Sequence, residues 1–269
     1  MTTLKVGDLD VHVQRMGPAD ASMTVVLLHG LLYDSLASYY FTVGPALAEL
    51  GIDVVMYDLR GHGRSSRPAS GYKLEQFVDD LRGMLDELGI NHPVHLVGNS
   101  FGGTIAFGFA AAHPERTASI LFMEAEPPVR QWAIHIREGL TDAVQRLGKP
   151  DAFDYIAETY GSHPARLSKA AYKILQSTTI VDDIPSSALI SEDLADVTCP
   201  VLGVFGTQTG LSYQVDLLRA KLPAFDVQIL DGMGHSVLVE KPALTRTMVA
   251  DWLFGGHQAT LRDAGKIGA

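Results

Sequence analysis

The chain is poor in cysteine and in positive charge. Cys199 is its single cysteine, so an intrachain disulfide is excluded. Its 21 lysines and arginines stand against 31 aspartates and glutamates, which gives a net charge of −10. Such a chain lacks the basic field that attracts phosphates, so we expect neither nucleic acid nor an anionic membrane as a partner.

Targeting and cofactor motifs are also missing. The start, MTTLKVGDLD, has neither the basic residues nor the apolar run of a secretory signal, and the most apolar stretch, Val94–Ala112, is too short and polar to span a bilayer. We therefore expect a cytoplasmic protein. No H-x-H, H-E-x-x-H or G-x-G-x-x-G spacing occurs, so we predict no metal and no cofactor.

The chain has instead the pattern of a large α/β domain. Its 269 residues are 46% hydrophobic, enough for a sizeable core. After a predicted hairpin, short apolar strands alternate with helical segments, which implies a mostly parallel sheet with helices on both faces. The predicted strands are Thr2–Val6, Leu9–Gln14, Thr24–Leu28, Asp53–Tyr57, a short strand from Val94, Ala118–Glu124, Pro200–Phe205 and Phe225–Leu230. The predicted helices between and after them include Leu36–Leu50, Leu74–Leu88, Ser212–Leu222 and Val237–Phe254.

This alternation stops at Pro127-Pro128. From there the pattern is helical and has no clear buried strand, so we predict a core of residues 1–126 and 197–254 with a helical lid at 127–196. Residues 255–269 form a polar C-terminal tail with no evident role.

The most informative stretch is VHLVGNSFGG at 94–103, which contains a G-x-S-x-G motif between a strand and a helix. On such a turn a serine stands out from the end of a sheet, and the glycines remove side chains that would collide with the flanking backbone. This context favours Ser100 as a nucleophile over a simple connecting turn.

Four motifs in this order and spacing resemble those of the α/β-hydrolase family: HGLL at 29–32, DLRGHGRS at 58–65, GNSFGG at 98–103 and GMGHSVLVEKP at 232–242. The resemblance implies an eight-stranded-type sheet. It also implies that His235 is the base that activates Ser100, and that the backbone N–H groups of Leu31 and Phe101 form an oxyanion hole.

The acid that would orient His235 departs from the family pattern. Most members carry an aspartate in a G-x-x-D turn, but here that turn ends at Thr209. A subset of the family takes its acid from the end of the preceding strand, where this chain has Glu124. Glu126 is the alternative, since residues two apart on a strand share a face. Its position beside two prolines suits a rim or lid-hinge role better.

The family resemblance leaves several functions open. We expect a serine hydrolase that cleaves an ester, lactone or thioester, with an apolar acyl compound as its small-molecule substrate. A C–C bond hydrolase of ring-cleavage products is one alternative, and a non-catalytic ligand-binding receptor with the same fold is another. The acyl length and the oligomeric state stay open.

Overall fold

A computed structural model describes residues 2–256. These residues form an eight-stranded sheet with the order β1-β2-β4-β3-β5-β6-β7-β8. The pairs β1–β2 and β2–β4 are antiparallel and the other five pairs are parallel, as the alternating pattern predicts. The strands are β1 (Thr2–Val6), β2 (Leu9–Met16), β3 (Thr24–Leu28), β4 (Asp53–Tyr57), β5 (Val94–Asn99), β6 (Thr117–Met123), β7 (Val201–Gly206) and β8 (Phe225–Leu230).

Helices cover both faces of the sheet. The α-helices are α1 (Ala37–Tyr40), α2 (Gly44–Glu49), α3 (Leu74–Glu87), α4 (Phe101–Ala112), α5 (Arg130–Leu147), α6 (Ala152–Tyr160), α7 (Ser162–Ser177), α8 (Ile180–Asp183), α9 (Val215–Lys221), α10 (Val237–Glu240) and α11 (Pro242–Asp251). On one face α3, α4 and α9 pack on the sheet, and on the other face α1, α2, α10 and α11 do so. The central strands are buried on both faces because each one contributes alternate side chains to the two layers.

Two long helices expected from the sequence are interrupted. The segment predicted as a helix over Leu36–Leu50 forms α1 and α2, and the one predicted over Val237–Phe254 forms α10, α11 and a π-helical turn at Trp252–Gly256. A proline lies at the first or second position of both α2 and α11. Proline has no N–H to donate and fits the first turn of a helix, so it starts a new helix instead of continuing the old one.

The segment between β6 and β7 is helical, as expected, and contains α5 to α8. Its action as a lid stays a prediction. The predicted tail begins within the last described turn, and residues 257–269 lie outside the described residues. Among residues 2–256, no helix is long and apolar enough to cross a bilayer.

Candidate active site

Ser100 lies in a sharp turn between β5 and α4. Its φ of 53° and ψ of −125° are strained for a residue with a side chain. Its N–H donates to the carbonyl of Met123 at 2.8 Å, which ties the turn to the end of β6. A Cβ at Gly98 would overlap the backbone of Gly103, and one at Gly102 would overlap the carbonyl of Leu28. The two glycines are therefore required by close backbone packing.

Two backbone N–H groups beside Ser100 have no acceptor among the hydrogen bonds of residues 2–256. One belongs to Phe101, the first residue of α4, and the other to Leu31, in the loop after β3. The first N–H groups of a helix lack partners inside the helix and attract negative charge. Phe101, Leu31 and Ser100 all line the same cavity.

Two buried histidines support the loop that carries Leu31. The N–H of Leu32, at a φ of 66°, donates to Nε2 of His62 at 2.8 Å. Burial, reinforced by the neighbouring His29, lowers the pKa of His62 from its usual 6.5 to about 3, so this ring is neutral and can accept that hydrogen bond. Nε2 of His29 accepts from the N–H of Leu59 at 3.0 Å. Both histidines thus have supporting contacts.

Glu124 lies directly after β6 and is fully buried, with a φ of 52°. Its Oε1 accepts a short hydrogen bond from the N–H of Gly206, at the end of β7. Its Oε2 lies 3.6 Å from Nδ1 of His235 and has no hydrogen-bond partner among the described residues. A buried carboxylate oxygen without a partner is costly, so this oxygen is available to a proton on the facing imidazole.

The other residues that could have oriented His235 are engaged elsewhere. Thr209, at the usual position of the acid, donates from Oγ1 to the carbonyl of Gly206 at 3.1 Å. Asp231, in the turn that precedes His235, accepts from Oγ1 of Thr207 at 3.3 Å. Glu126 contacts His135 and not His235. The structure therefore brings Glu124 to His235 and directs Glu126 to a different histidine.

A cavity of about 430 Å³ brings Ser100, His235 and Glu124 together. The side chain of His235 is 55% exposed, so its ring can contact both a bound molecule and the buried carboxylate. Three residues of α5 also line the cavity, namely Trp132, His135 and Ile136. The wall of the cavity is therefore partly apolar and partly polar.

The architecture matches that of known proteins. A profile of the α/β hydrolase fold matches residues 24–170. The chain belongs to the α/β hydrolase fold family. It is 27% identical over 271 residues to the 2-hydroxy-6-oxononadienedioate/2-hydroxy-6-oxononatrienedioate hydrolase 1 of Dechloromonas aromatica strain RCB, covering 93% of both chains. It is 35% identical over 150 residues to the lipase LipV of Mycobacterium tuberculosis, covering 54% of this chain and 51% of the lipase.

A solved structure of a putative lipase from Acinetobacter baumannii AYE superposes on this α/β hydrolase with a TM-score of 0.77. The two chains are 20% identical, and the match covers 96% of this chain and 92% of that one. At this identity the likeness concerns the fold. Together, the relatives support an enzyme with hydrolase activity, and they include both a lipase and a hydrolase of another substrate class.

Some residues around the cavity of this α/β hydrolase could not be predicted from the sequence. His135 and Tyr213 both contact Glu126, yet they come from α5 and from the turn after β7. Neither residue belongs to a motif, and 78 positions separate them (213 − 135). The one signal in the sequence is the acid itself, two residues after Glu124 in the segment that follows β6.

Proposed function

We propose that this α/β hydrolase cleaves an ester-type bond, in an ester, a lactone or a thioester, through an acyl-enzyme on Ser100. The observation that carries the proposal is the unpartnered, buried Oε2 of Glu124, which faces His235 at the cavity that Ser100 lines. A carboxylate in this position selects the His235 tautomer with its proton on Nδ1, which leaves Nε2 free to accept a proton.

In the first half of the reaction, Oγ of Ser100 attacks the carbonyl carbon and its proton moves to Nε2 of His235. The carbonyl oxygen becomes an anion and accepts hydrogen bonds from the N–H groups of Leu31 and Phe101. Collapse of this intermediate breaks the bond to the leaving alcohol or thiol, which takes the proton from His235. The acyl group then remains on Ser100.

In the second half, a water molecule gives a proton to His235 and attacks the acyl carbon. The same two N–H groups stabilise the second oxyanion, and the Oγ of Ser100 leaves with the proton that His235 returns. The products are a carboxylic acid and the free enzyme. Glu124 accepts the hydrogen bond of Nδ1 and stabilises the imidazolium each time that it forms.

C–C bond cleavage is the second candidate, because the Dechloromonas hydrolase matches nearly the whole chain. The substrate in the name of that hydrolase is a dicarboxylate. The described residues that line the cavity around Ser100 include Glu124 and Glu126 but no lysine or arginine. A site without a cation is poorly suited to two carboxylates, so the cavity favours an uncharged ester over such a substrate.

Labelling with a fluorophosphonate probe tests the proposal. We expect one adduct on the unmodified protein, on the peptide that contains Ser100, and none on Ser100→Ala. His235→Ala should react at least about 100-fold more slowly, because the hydroxyl loses its base. An unlabelled wild-type protein that still binds small esters would contradict the proposal and favour a ligand-binding receptor.

Turnover of p-nitrophenyl esters, lactones and acyl thioesters, measured side by side, then ranks the bond types. A protein that cleaves none of these three bond types but cleaves a C–C bond of 2-hydroxy-6-oxononadienedioate would be a C–C bond hydrolase.

A further inference from the structure

A second carboxylate, that of Glu126, lines the cavity around Ser100 and takes no part in the proposed acyl transfer. Its side chain is only 11% exposed. The backbone around it is fixed, since Oγ1 of Thr104 donates to the carbonyl of Glu126 at 2.9 Å and the amide of Gln214 donates to the carbonyl of Ala125 at 3.0 Å. The position of this carboxylate is therefore set by the strand end and by two neighbouring elements.

Two side chains donate hydrogen bonds to the carboxylate. The hydroxyl of Tyr213 lies 2.6 Å from Oε1, and Nδ1 of His135 lies 3.0 Å from both oxygens. Burial, together with the hydrogen bond to Glu126 and its charge, raises the pKa of Tyr213 above its usual 10, so the phenol keeps its proton and acts as a donor.

The two oxygens of Glu126 are unequally occupied. Oε1 accepts from Tyr213 and from His135, whereas Oε2 shares only the N–H of His135. A carboxylate oxygen has two lone pairs, so Oε2 can accept one more hydrogen bond. No lysine or arginine among the described residues lines this cavity, and the charge of Glu126 has no permanent cation beside it there.

From this arrangement we infer that Glu126 determines specificity: its Oε2 binds a hydrogen-bond donor or a cationic group of the substrate and disfavours a substrate carboxylate. The substrates are then esters whose acyl or alcohol part is neutral and carries an N–H or O–H group, or carries an ammonium. The buried Trp132 lines the same cavity. This inference rests on the proposed ester hydrolysis and names the substrate class for it.

Two pairs of esters of matched shape test the inference. Choline butyrate and 3,3-dimethylbutyl butyrate differ only in the positive charge of the alcohol part. Mono-p-nitrophenyl adipate and its methyl ester differ in a negative charge at the far end of the acyl part. The quantity measured is the ratio of kcat/KM within each pair, for the wild type and for Glu126→Gln, after subtraction of the uncatalysed rate.

We expect Glu126→Gln to lower the cation-to-neutral ratio, or to raise the anion-to-neutral ratio, by about 10-fold, the change expected for one charge facing a partly buried group. Asp231→Asn serves as the matched control, because it removes a negative charge from an exposed turn outside the cavity and should leave both ratios within about 2-fold.

The inference fails if Glu126→Gln slows both members of each pair equally, since a carboxylate that only holds the wall together cannot change a ratio. Failure of the proposed function has a different signature: the wild type would then cleave none of the four esters.

Discussion

Replacing Glu124 by glutamine removes a charge while preserving size. The N–H of Gly206 can still donate to the amide oxygen of the new side chain, as it does to Oε1 of Glu124. The amide NH₂ would then face Nδ1 of His235 where Oε2 lies now, 3.6 Å away. This NH₂ donates to Nδ1 and holds the proton of the ring on Nε2, which is the wrong tautomer for accepting a proton from Ser100.

The lost electrostatic stabilisation can be worked from the same distance. Two unit charges 3.6 Å apart attract each other by about 5 kcal/mol at an effective dielectric constant of about 20. The side chain of His235 is 55% exposed, so solvent screens part of this attraction. We therefore expect the imidazolium to lose about 3 to 4 kcal/mol of stabilisation. At about 1.4 kcal/mol per factor of ten, kcat should fall by about 10² to 10³.

The assay is steady-state hydrolysis of p-nitrophenyl butyrate by the wild type, Glu124→Gln and Asp231→Asn, with far-UV circular dichroism as a check on folding. Asp231 is the matched control, because it is an exposed carboxylate in the turn before His235 and should cost less than about 2-fold. KM should change little for any variant. A folded Glu124→Gln enzyme with the kcat of the wild type would refute the role of Glu124.

Three further predictions concern the turn that carries the acid, the fold around the elbow and the loop of Leu31. In the Glu124→Gln background, Thr209→Asp should restore at least about 10-fold of kcat, because it returns a carboxylate to the cavity beside His235. An unchanged kcat would show that this turn cannot reach the imidazole. Gly102→Ala should lower the free energy of unfolding in urea by about 2 to 4 kcal/mol, because its Cβ would overlap backbone. Gly139→Ala, in α5 with open space around it, should raise that free energy by up to about 1 kcal/mol, and equal effects of the two would contradict the packing argument. Because the unfolded chain protonates His62 near pH 6.5 and the folded one only near pH 3, His62 alone should lower the free energy of unfolding by about 1.4 kcal/mol for each unit by which the pH falls between these values. The slope should be shallower by that amount in His62→Gln, and identical slopes would contradict a buried neutral ring.

The sequence predicts the sheet and the glycine turn around Ser100 because each depends on local pattern. The roles of His235 and Glu124 come from the family resemblance and stay predictions. Apolar runs identify the strands, and glycines at 98 and 102 identify a turn in which no side chain fits. The two interrupted helices could also have been predicted, since Pro45 and Pro242 lie where a new helix starts.

What the sequence does not reveal depends on contacts between distant segments. The left-handed backbone at Glu124 and its hydrogen bond to Gly206 arise where the ends of β6 and β7 meet. The contacts of His135 and Tyr213 with Glu126 join α5 and the turn after β7 to the segment that follows β6, and no periodicity encodes such contacts.

The most direct test of the central claim is to trap the covalent intermediate. The enzyme is mixed with an excess of p-nitrophenyl butyrate, quenched in acid within milliseconds and digested with trypsin. Mass spectrometry should find one butyryl group on the peptide Gly83–Arg116, attached to Ser100, together with a burst of p-nitrophenol of about one equivalent. The same measurement is made on the Glu124→Gln enzyme. Turnover by both enzymes without a burst of p-nitrophenol and without acylation of that peptide would contradict nucleophilic attack by Ser100.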